Sequence, residues 1–158
     1  MLNELQRRYV WEDWLSAQVR SSYFADLAGR HQRRQRIITW ATLVSSSGAF
    51  VTIVTSLPAS VLWIRPVLAV FTAALSLWSL IAKNERCAIE CSDLHFQWNT
   101  LAREYQALWE DIDAEAVPEK LKQLRDRSAQ LSKTGTNQVY KPKLMLRWQE
   151  HVELQYRT

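Results

Sequence analysis

The uncharged stretch IITWATLVSSSGAFVTIVTSL (residues 37–57) decides which fold the sequence predicts. It contains 21 residues, and about 20 apolar residues in a helix cross the hydrocarbon core of a bilayer. A second apolar run, VLAVFTAALSLWSLIA (residues 67–82), follows after a turn that contains Pro58 and Pro66. Each proline lacks an N–H group and interrupts a helix. The sequence therefore predicts an all-α protein with a two-span transmembrane helical hairpin over residues 37–82.

Polar segments flank this hairpin, and no linker rich in glycine, serine or proline divides the 158 residues. We therefore expect a single unit over residues 1–158. It consists of an N-terminal helical region (1–36), the hairpin (37–82) and a second helical region (83–158). Basic residues crowd both ends of the hairpin, whereas its turn holds only Arg65, so the positive-inside rule places both termini in the cytoplasm. The juxtamembrane basic residues are Arg30, Arg33, Arg34, Arg36, Lys83 and Arg86.

This juxtamembrane position accounts for the basic cluster without a nucleic-acid partner, and the net charge of +4 is too small to favour one. Residues 1–36 carry seven arginines and four acids, residues 83–113 three bases and seven acids, and residues 114–158 nine bases and five acids. An acidic segment thus lies between two basic ones. We expect the flanking helices to dock on it.

The flanking segments have helical periodicity. Residues 2–29 predict an amphipathic helix that Gly29 ends or bends, and the second span predicts a long cytoplasmic helix that continues to about residue 116, before Pro118. Two short amphipathic helices, over residues 119–132 and 142–156, are expected to pack on it. Apolar residues along the long helix alternate spacings of three and four, which is typical of a packing seam within a chain or between chains. We predict an assembly seam of Leu94, Trp98, Leu101, Tyr105, Leu108 and Ile112.

Small and hydroxylated residues form one face of the apolar hairpin. Such a face either packs two helices closely, with hydroxyl groups bonded across the contact, or lines a water-filled pore after oligomerisation. The sequence leaves both alternatives open. The residues are Thr42, Ser45, Ala49, Thr52, Ser56, Thr72, Ser76 and Ser79.

The sequence offers little for catalysis or cofactor binding. Cys87, Cys91 and His95 are spaced four residues apart, but zinc usually takes four ligands and no fourth is evident. Three glycines in the whole chain do not favour a phosphate-binding loop. We expect no catalytic residue, no metal and no cofactor, and hence a protein that is not an enzyme.

The order of these elements, with the stretches RHQRRQRIITWATLVSSSGAFVTIV (residues 30–54) and CSDLHFQWNTLAREYQALWEDI (residues 91–112), resembles the SLATT family. These are small two-transmembrane proteins of bacterial conflict systems, associated with nucleotide-second-messenger synthases and sensors. The resemblance implies an antiphage effector in the bacterial inner membrane that oligomerises and permeabilises that membrane when triggered, causing growth arrest or cell death. It implies as partners the lipid bilayer, further copies of the chain, and a sensor, a nucleotide synthase or a second-messenger nucleotide.

Two alternatives remain at this point. The first is a non-toxic two-span anchor or adaptor whose helical cytoplasmic head recruits a partner. The second is a helical bundle without membrane spans, in which residues 37–82 form the hairpin of the core.

Overall fold

The computed structural model describes residues 4–47, 63, 66–67, 70–71, 73–74, 77–78, 84–113, 116–136, 138 and 140–156. Its long helices are α1 (Glu4–Ser46), α2 (Asn84–Glu110), α3 (Val117–Gly135) and α4 (Pro142–Tyr156). None of the residues in these ranges belongs to a strand. The all-α prediction is confirmed.

Contacts divide the chain into two compact units, one of Met1–Ala28 with Ile89–Thr158 and one of Gly29–Ala88. Both boundaries lie inside helices rather than in linkers. α1 does not end at Gly29, because a lone glycine weakens a helix by only about 1 kcal/mol relative to alanine and the residues on either side favour the helix. The first unit is a four-helix core, and the second is described through the last turns of α1, the first turns of α2 and a few residues between them.

The four-helix core is built from one apolar stripe of each helix. α1 contributes Val10, Trp14, Ala17, Tyr23 and Leu27, each at most 8% exposed. Spacings of four and three residues place Val10, Trp14 and Ala17 on one side of the helix, and Tyr23 and Leu27, about a third of a turn away, widen the buried side. Aromatic rings fill the end of this core: Trp11 packs edge-to-face on Trp14 at 4.8 Å between ring centroids, and Tyr156 of α4 lies 4.9 Å from Trp14.

The predicted seam of α2 is buried inside this single chain. Leu94, Trp98, Leu101, Tyr105 and Leu108 are all at most 5% exposed, and Ile112 is partly buried against the same core. α3 supplies Leu121, Leu124 and Leu131, and α4 supplies Leu144 and Val152, to the buried set. Contact between chains along this seam would therefore require the four-helix core to open.

The helix ends follow from local chemistry. α2 ends at Glu110, several residues before the predicted end, because Glu110, Asp111 and Asp113 place negative charge at a helix C-terminus that already carries partial negative charge. Pro118 lies in the first turn of α3, where its missing N–H group is tolerated. α3 continues to Gly135, three residues past the predicted end of this helix. α4 has the predicted bounds.

Ion pairs join the helices of the core. Arg127 of α3 donates to both carboxylate oxygens of Glu104 on α2 at 2.8 Å, and Arg7 of α1 pairs with Asp113. These pairs confirm that basic segments dock on the acidic one. Two further pairs join basic side chains to acids of α1, which the charge pattern did not predict: Arg125 with Asp13 at 2.9 Å, and Arg147 with Asp26 at 2.5 Å.

The predicted two-span hairpin is wrong for the helices that the structure describes. Among them, no helix has both the length and the apolar composition that crossing a bilayer requires. The reason is visible in α1: its uncharged part, residues 37–46, has a length of about 15 Å, half the thickness of a bilayer core, and exposed arginines precede it. The predicted position in the bacterial inner membrane is corrected by the same finding. Most of residues 48–83 lie outside the described residues.

Candidate functional site

The predicted hydroxyl-rich face is described only at its beginning. Thr42 is partly buried, and its Oγ1 donates to the carbonyl oxygen of Ile38 at 2.9 Å, a bond within the same helix. Ser45 lies in the last turn of α1. The other members of this face lie outside the described residues: Ala49, Thr52, Ser56, Thr72, Ser76 and Ser79.

The basic residues that the sequence places beside the hairpin are exposed where the structure describes them. Arg30, Arg33, Arg34 and Arg36 line the middle of α1, and Arg86 lies in the first turn of α2. Lys83 lies outside the described residues.

The Cys87, Cys91 and His95 series does not form a metal site. His95 Nδ1 lies 2.9 Å from the carbonyl oxygen of Ser21. Because a carbonyl oxygen only accepts, this nitrogen carries the hydrogen and donates it. The Cys91 thiol donates to Oε1 of Gln138 at 3.6 Å. Within the described ranges, no three His, Cys, Asp or Glu side chains are grouped to hold a metal ion.

An exposed apolar surface covers the last turns of α1. Ile37, Trp40 and Val44 are 68%, 63% and 56% exposed, and they follow the spacing i, i+3, i+7 that places side chains on one side of a helix. Arg33 lies four residues before Ile37, and Arg36 lies four residues before Trp40. The two arginines therefore lie on the same side of α1 as the apolar residues. We call these five residues the α1 docking surface.

A second exposed apolar surface lies on α2, opposite its buried seam. Ile89 and Phe96 are 64% and 68% exposed, and Asp93 lies between them at helical spacing. Asp93 accepts a hydrogen bond from Nε2 of Gln97 at 2.6 Å, and no ion pair joins it to another described residue. We call Ile89, Asp93 and Phe96 the α2 outer surface.

A cavity of about 340 Å³ opens in the four-helix core between α1, α2, α3 and the segment that leads into α4. Four aromatic residues contribute to its lining, among them Tyr23, which packs edge-to-face on Phe24 at 5.2 Å, and Tyr140, which lies 6.5 Å from Tyr23. A Cβ atom on Gly135 would lie 3.2 Å from Cζ of Phe24, so this glycine allows α3 to approach the ring closely. Arg20, Trp98, Leu131, Ser132, Gln138 and Met145 are also part of the lining.

Arg20 brings a positive charge into this aromatic cavity. Its guanidinium carbon lies 4.8 Å from the centre of the Trp98 ring, and Nη1 donates to Oγ of Ser132 at 2.5 Å. Burial lowers the pKa of this guanidinium, yet an arginine in a protein stays charged. No carboxylate among the described residues pairs with Arg20. The cavity therefore contains a cation without a fixed counter-ion.

Three further residues with polar groups belong to the lining of the same cavity. The hydroxyl oxygen of Tyr23 accepts from the backbone N–H of Lys141 at 3.1 Å, and burial raises the pKa of Tyr23, so the hydroxyl keeps its proton as a donor. Trp98 is 1% exposed, and its indole N–H has no acceptor among the described residues. Gln138 is held in place because its Nε2 donates to Glu90 at 2.7 Å. The free hydrogen-bonding capacity of Arg20 and Tyr23 is that of donors, whereas protein atoms cover the indole N–H of Trp98.

The sequence did not predict this cavity. Trp98 was predicted as part of the assembly seam, and the pattern of the sequence did not connect it with Arg20. The available signal was the position of Arg20, three residues after Ala17 and three before Tyr23, which places a charge beside two residues of the buried stripe.

Another cavity, of about 400 Å³, lies between α2 and α3, where Glu104, Asp111 and Lys120 line it with Leu108 and Leu124. Arg127 already binds both oxygens of Glu104. This cavity therefore contains a satisfied ion pair at its edge and offers less to a ligand than the cavity at Arg20.

Comparison with known proteins adds no assignment to this geometry. No protein-family model, characterised protein or solved structure matches the chain. The resemblance to the SLATT family stays a prediction.

Proposed function

We propose that this chain is a non-catalytic helical assembly protein, whose copies join through the α1 docking surface of one copy and the α2 outer surface of the next. The exposure of Ile37, Trp40 and Val44 on one side of α1 is the observation that supports it. The membrane permeabilisation implied by the family resemblance depends on the two-span hairpin, so the proposal keeps only the expected oligomerisation.

The α1 docking surface has the form of a helix that binds in a groove. Anchors at i, i+3 and i+7 are the usual arrangement when an amphipathic helix lays its apolar side on a partner. Each Å² of apolar surface removed from water contributes about 25 cal/mol. Ile37, Trp40 and Val44 are each more than half exposed, and the described part of the chain leaves them uncovered. Burial of these three side chains by a partner would therefore be favourable.

Charge selects the partner surface. Arg33 and Arg36 extend the α1 docking surface, so they favour a partner with acidic groups beside apolar ones. The α2 outer surface has this chemistry, because Asp93 lies between Ile89 and Phe96. Two different surfaces of one chain thus complement each other, which produces a head-to-tail contact that generates rings or filaments.

The test measures mass against concentration by sedimentation velocity. We expect the wild-type chain to associate as its concentration rises, and Trp40→Ala to weaken the association by about tenfold or more because a large buried aromatic anchor typically contributes at least that much. Leu154→Ala is the matched control, since Leu154 is 70% exposed on α4 and belongs to neither surface. It should associate as the wild type does.

Charge reversal separates this contact from unspecific aggregation. Arg33→Glu and Asp93→Arg should each weaken the association, and the two variants mixed together should associate again because the opposite charges then face each other. A chain that stays monomeric at every concentration would contradict the proposal, as would association that ignores both reversals. Flotation of the chain with liposomes in place of self-association would identify a lipid surface as the occupant and would also contradict it.

A further inference from the structure

We propose that the cavity at Arg20 is a binding site for a small aromatic monocarboxylate, whose carboxylate pairs with the Arg20 guanidinium and whose ring lies among Tyr23, Phe24 and Trp98. This inference is independent of the assembly proposed above. It rests on three features of one cavity: a cation without a carboxylate partner among the described residues, several aromatic side chains and the donor hydroxyl of Tyr23.

The size and lining of the cavity define the apolar part of the ligand. Ligand pockets in proteins usually measure about 300–1,000 Å³ and are lined by apolar and aromatic groups with a few placed polar ones. At about 340 Å³ this cavity is at the small end of that range. Because Phe24, Leu131 and Met145 offer no hydrogen bonds, a flat apolar body fits them better than a polyol or a sugar.

The polar groups define the other end of the ligand. Arginine presents five N–H donors in a planar fork, and the bond to Ser132 uses only one of its nitrogens. A planar carboxylate matches such a fork with two parallel hydrogen bonds. The hydroxyl of Tyr23 adds a further donor, so a ligand end that only accepts hydrogen bonds matches the site.

The number of charges limits the ligand to one negative charge. Arg20 is the only cationic side chain among the residues that the structure assigns to this cavity lining. A second or third negative charge on a ligand would enter a partly buried space without a counter-ion, which is strongly unfavourable. The chemistry therefore favours a monocarboxylate over a phosphate ester or a polyphosphate.

The experiment uses 2-naphthoate as the probe and its neutral analogue 2-naphthamide as the chemical control, with both affinities measured by calorimetry on the full chain. We expect the wild-type chain to bind 2-naphthoate about tenfold or more tightly than 2-naphthamide, since hydrogen bonds to charged groups contribute that much. No detectable binding of 2-naphthoate would refute the proposal. Equal binding of both compounds would refute the role of Arg20.

Variants locate the site. Arg20→Gln should remove the preference for the carboxylate, and Arg20→Lys should retain part of it because the charge remains while the fork is lost. Arg147→Gln is the matched control: Arg147 also lies over a tryptophan ring, at 5.7 Å from Trp148, but outside the cavity. It should bind 2-naphthoate as the wild type does, and equal losses in Arg147→Gln and Arg20→Gln would refute the site.

A spectroscopic measurement tests the position of the ring independently of any Arg20 variant. In a ¹⁵N-tryptophan-labelled chain, 2-naphthoate should shift the indole N–H signal of Trp98, which Trp98→Phe assigns by deleting it. The indole signal of Trp109, which is not part of the cavity lining and lies about 16 Å further along α2 than Trp98, should not move. A shift of the Trp109 signal with none at Trp98 would place the compound elsewhere and overturn the proposal.

Discussion

Replacing Tyr105 by phenylalanine should stabilise the four-helix core. Tyr105 is 1% exposed on α2, and its hydroxyl has no hydrogen-bond partner among the described residues. A buried polar group without a partner costs about 1–3 kcal/mol of stability, and phenylalanine keeps the ring while it removes that group. We expect Tyr105→Phe to raise the free energy of unfolding by about 1 kcal/mol at neutral pH.

The same substitution should change how stability depends on alkaline pH. Burial raises the pKa of Tyr105 to about 12, with Asp13 adding to the shift and Arg125 opposing it, whereas tyrosine in an unfolded chain has a pKa of about 10. Below pH 10 both states hold the proton, so this group adds no pH dependence. Between about pH 10 and 12 only the unfolded state releases the proton, so the free energy of unfolding falls by about 1.4 kcal/mol per pH unit.

Tyr105→Phe should not show this part of the fall, so its advantage over the wild type grows by about 2 kcal/mol as the pH approaches 12. Urea unfolding followed by circular dichroism at pH 7 and at several alkaline values measures both effects. Tyr9→Phe is the control, because Tyr9 is 48% exposed and removal of its hydroxyl relieves no burial. Phenylalanine also keeps the ring that lies 5.5 Å from the guanidinium carbon of Arg125. A Tyr105→Phe variant that is less stable than the wild type at neutral pH, or that loses stability with the same alkaline slope, would refute the reasoning.

Two further predictions concern packing and charge in the core. Leu101→Ala should lower the free energy of unfolding by about 2–5 kcal/mol because Leu101 is fully buried. Its control, Leu154→Ala at an exposed position, should change that free energy by less than about 0.5 kcal/mol. Comparable losses in the two variants would contradict the described packing of α2. Arg127→Gln should cost at most about 1 kcal/mol, because Arg127 and Glu104 are 43% and 40% exposed and solvent screens their attraction. A double-mutant cycle with Glu104→Gln measures that coupling, and a coupling of several kcal/mol would show that the pair is more shielded from solvent than its exposure indicates.

The sequence predicted the core helices well where apolar residues recur at spacings of three and four residues. α4 has its predicted bounds, and the seam residues of α2 from Leu94 to Leu108 are all buried. Such a stripe has to be covered, so its burial follows from composition and period alone. Of the two alternatives at Gly29, an end or a bend of the helix, the end was wrong, and so was the predicted end of α2 near residue 116. The stability of a helix end depends on charges and neighbours that the period does not contain.

Residues 37–57, where the apolar composition is strongest, were the origin of the incorrect two-span prediction. The sequence shows how many consecutive residues are uncharged, but it does not show whether all of them belong to one helix. α1 ends at Ser46, so it contains only the first part of the uncharged run.

By itself, then, the sequence determined that the chain is helical and which side of each core helix is apolar, since both follow from local composition and spacing. Only the tertiary structure decided what covers those sides: the seam of α2 packs within its own chain against α1, α3 and α4. The same holds for the cavity at Arg20. Its lining comes from positions as far apart as Arg20, Trp98 and Ser132, and only the folded chain brings a cation, an indole and a hydroxyl within hydrogen-bonding or stacking distance.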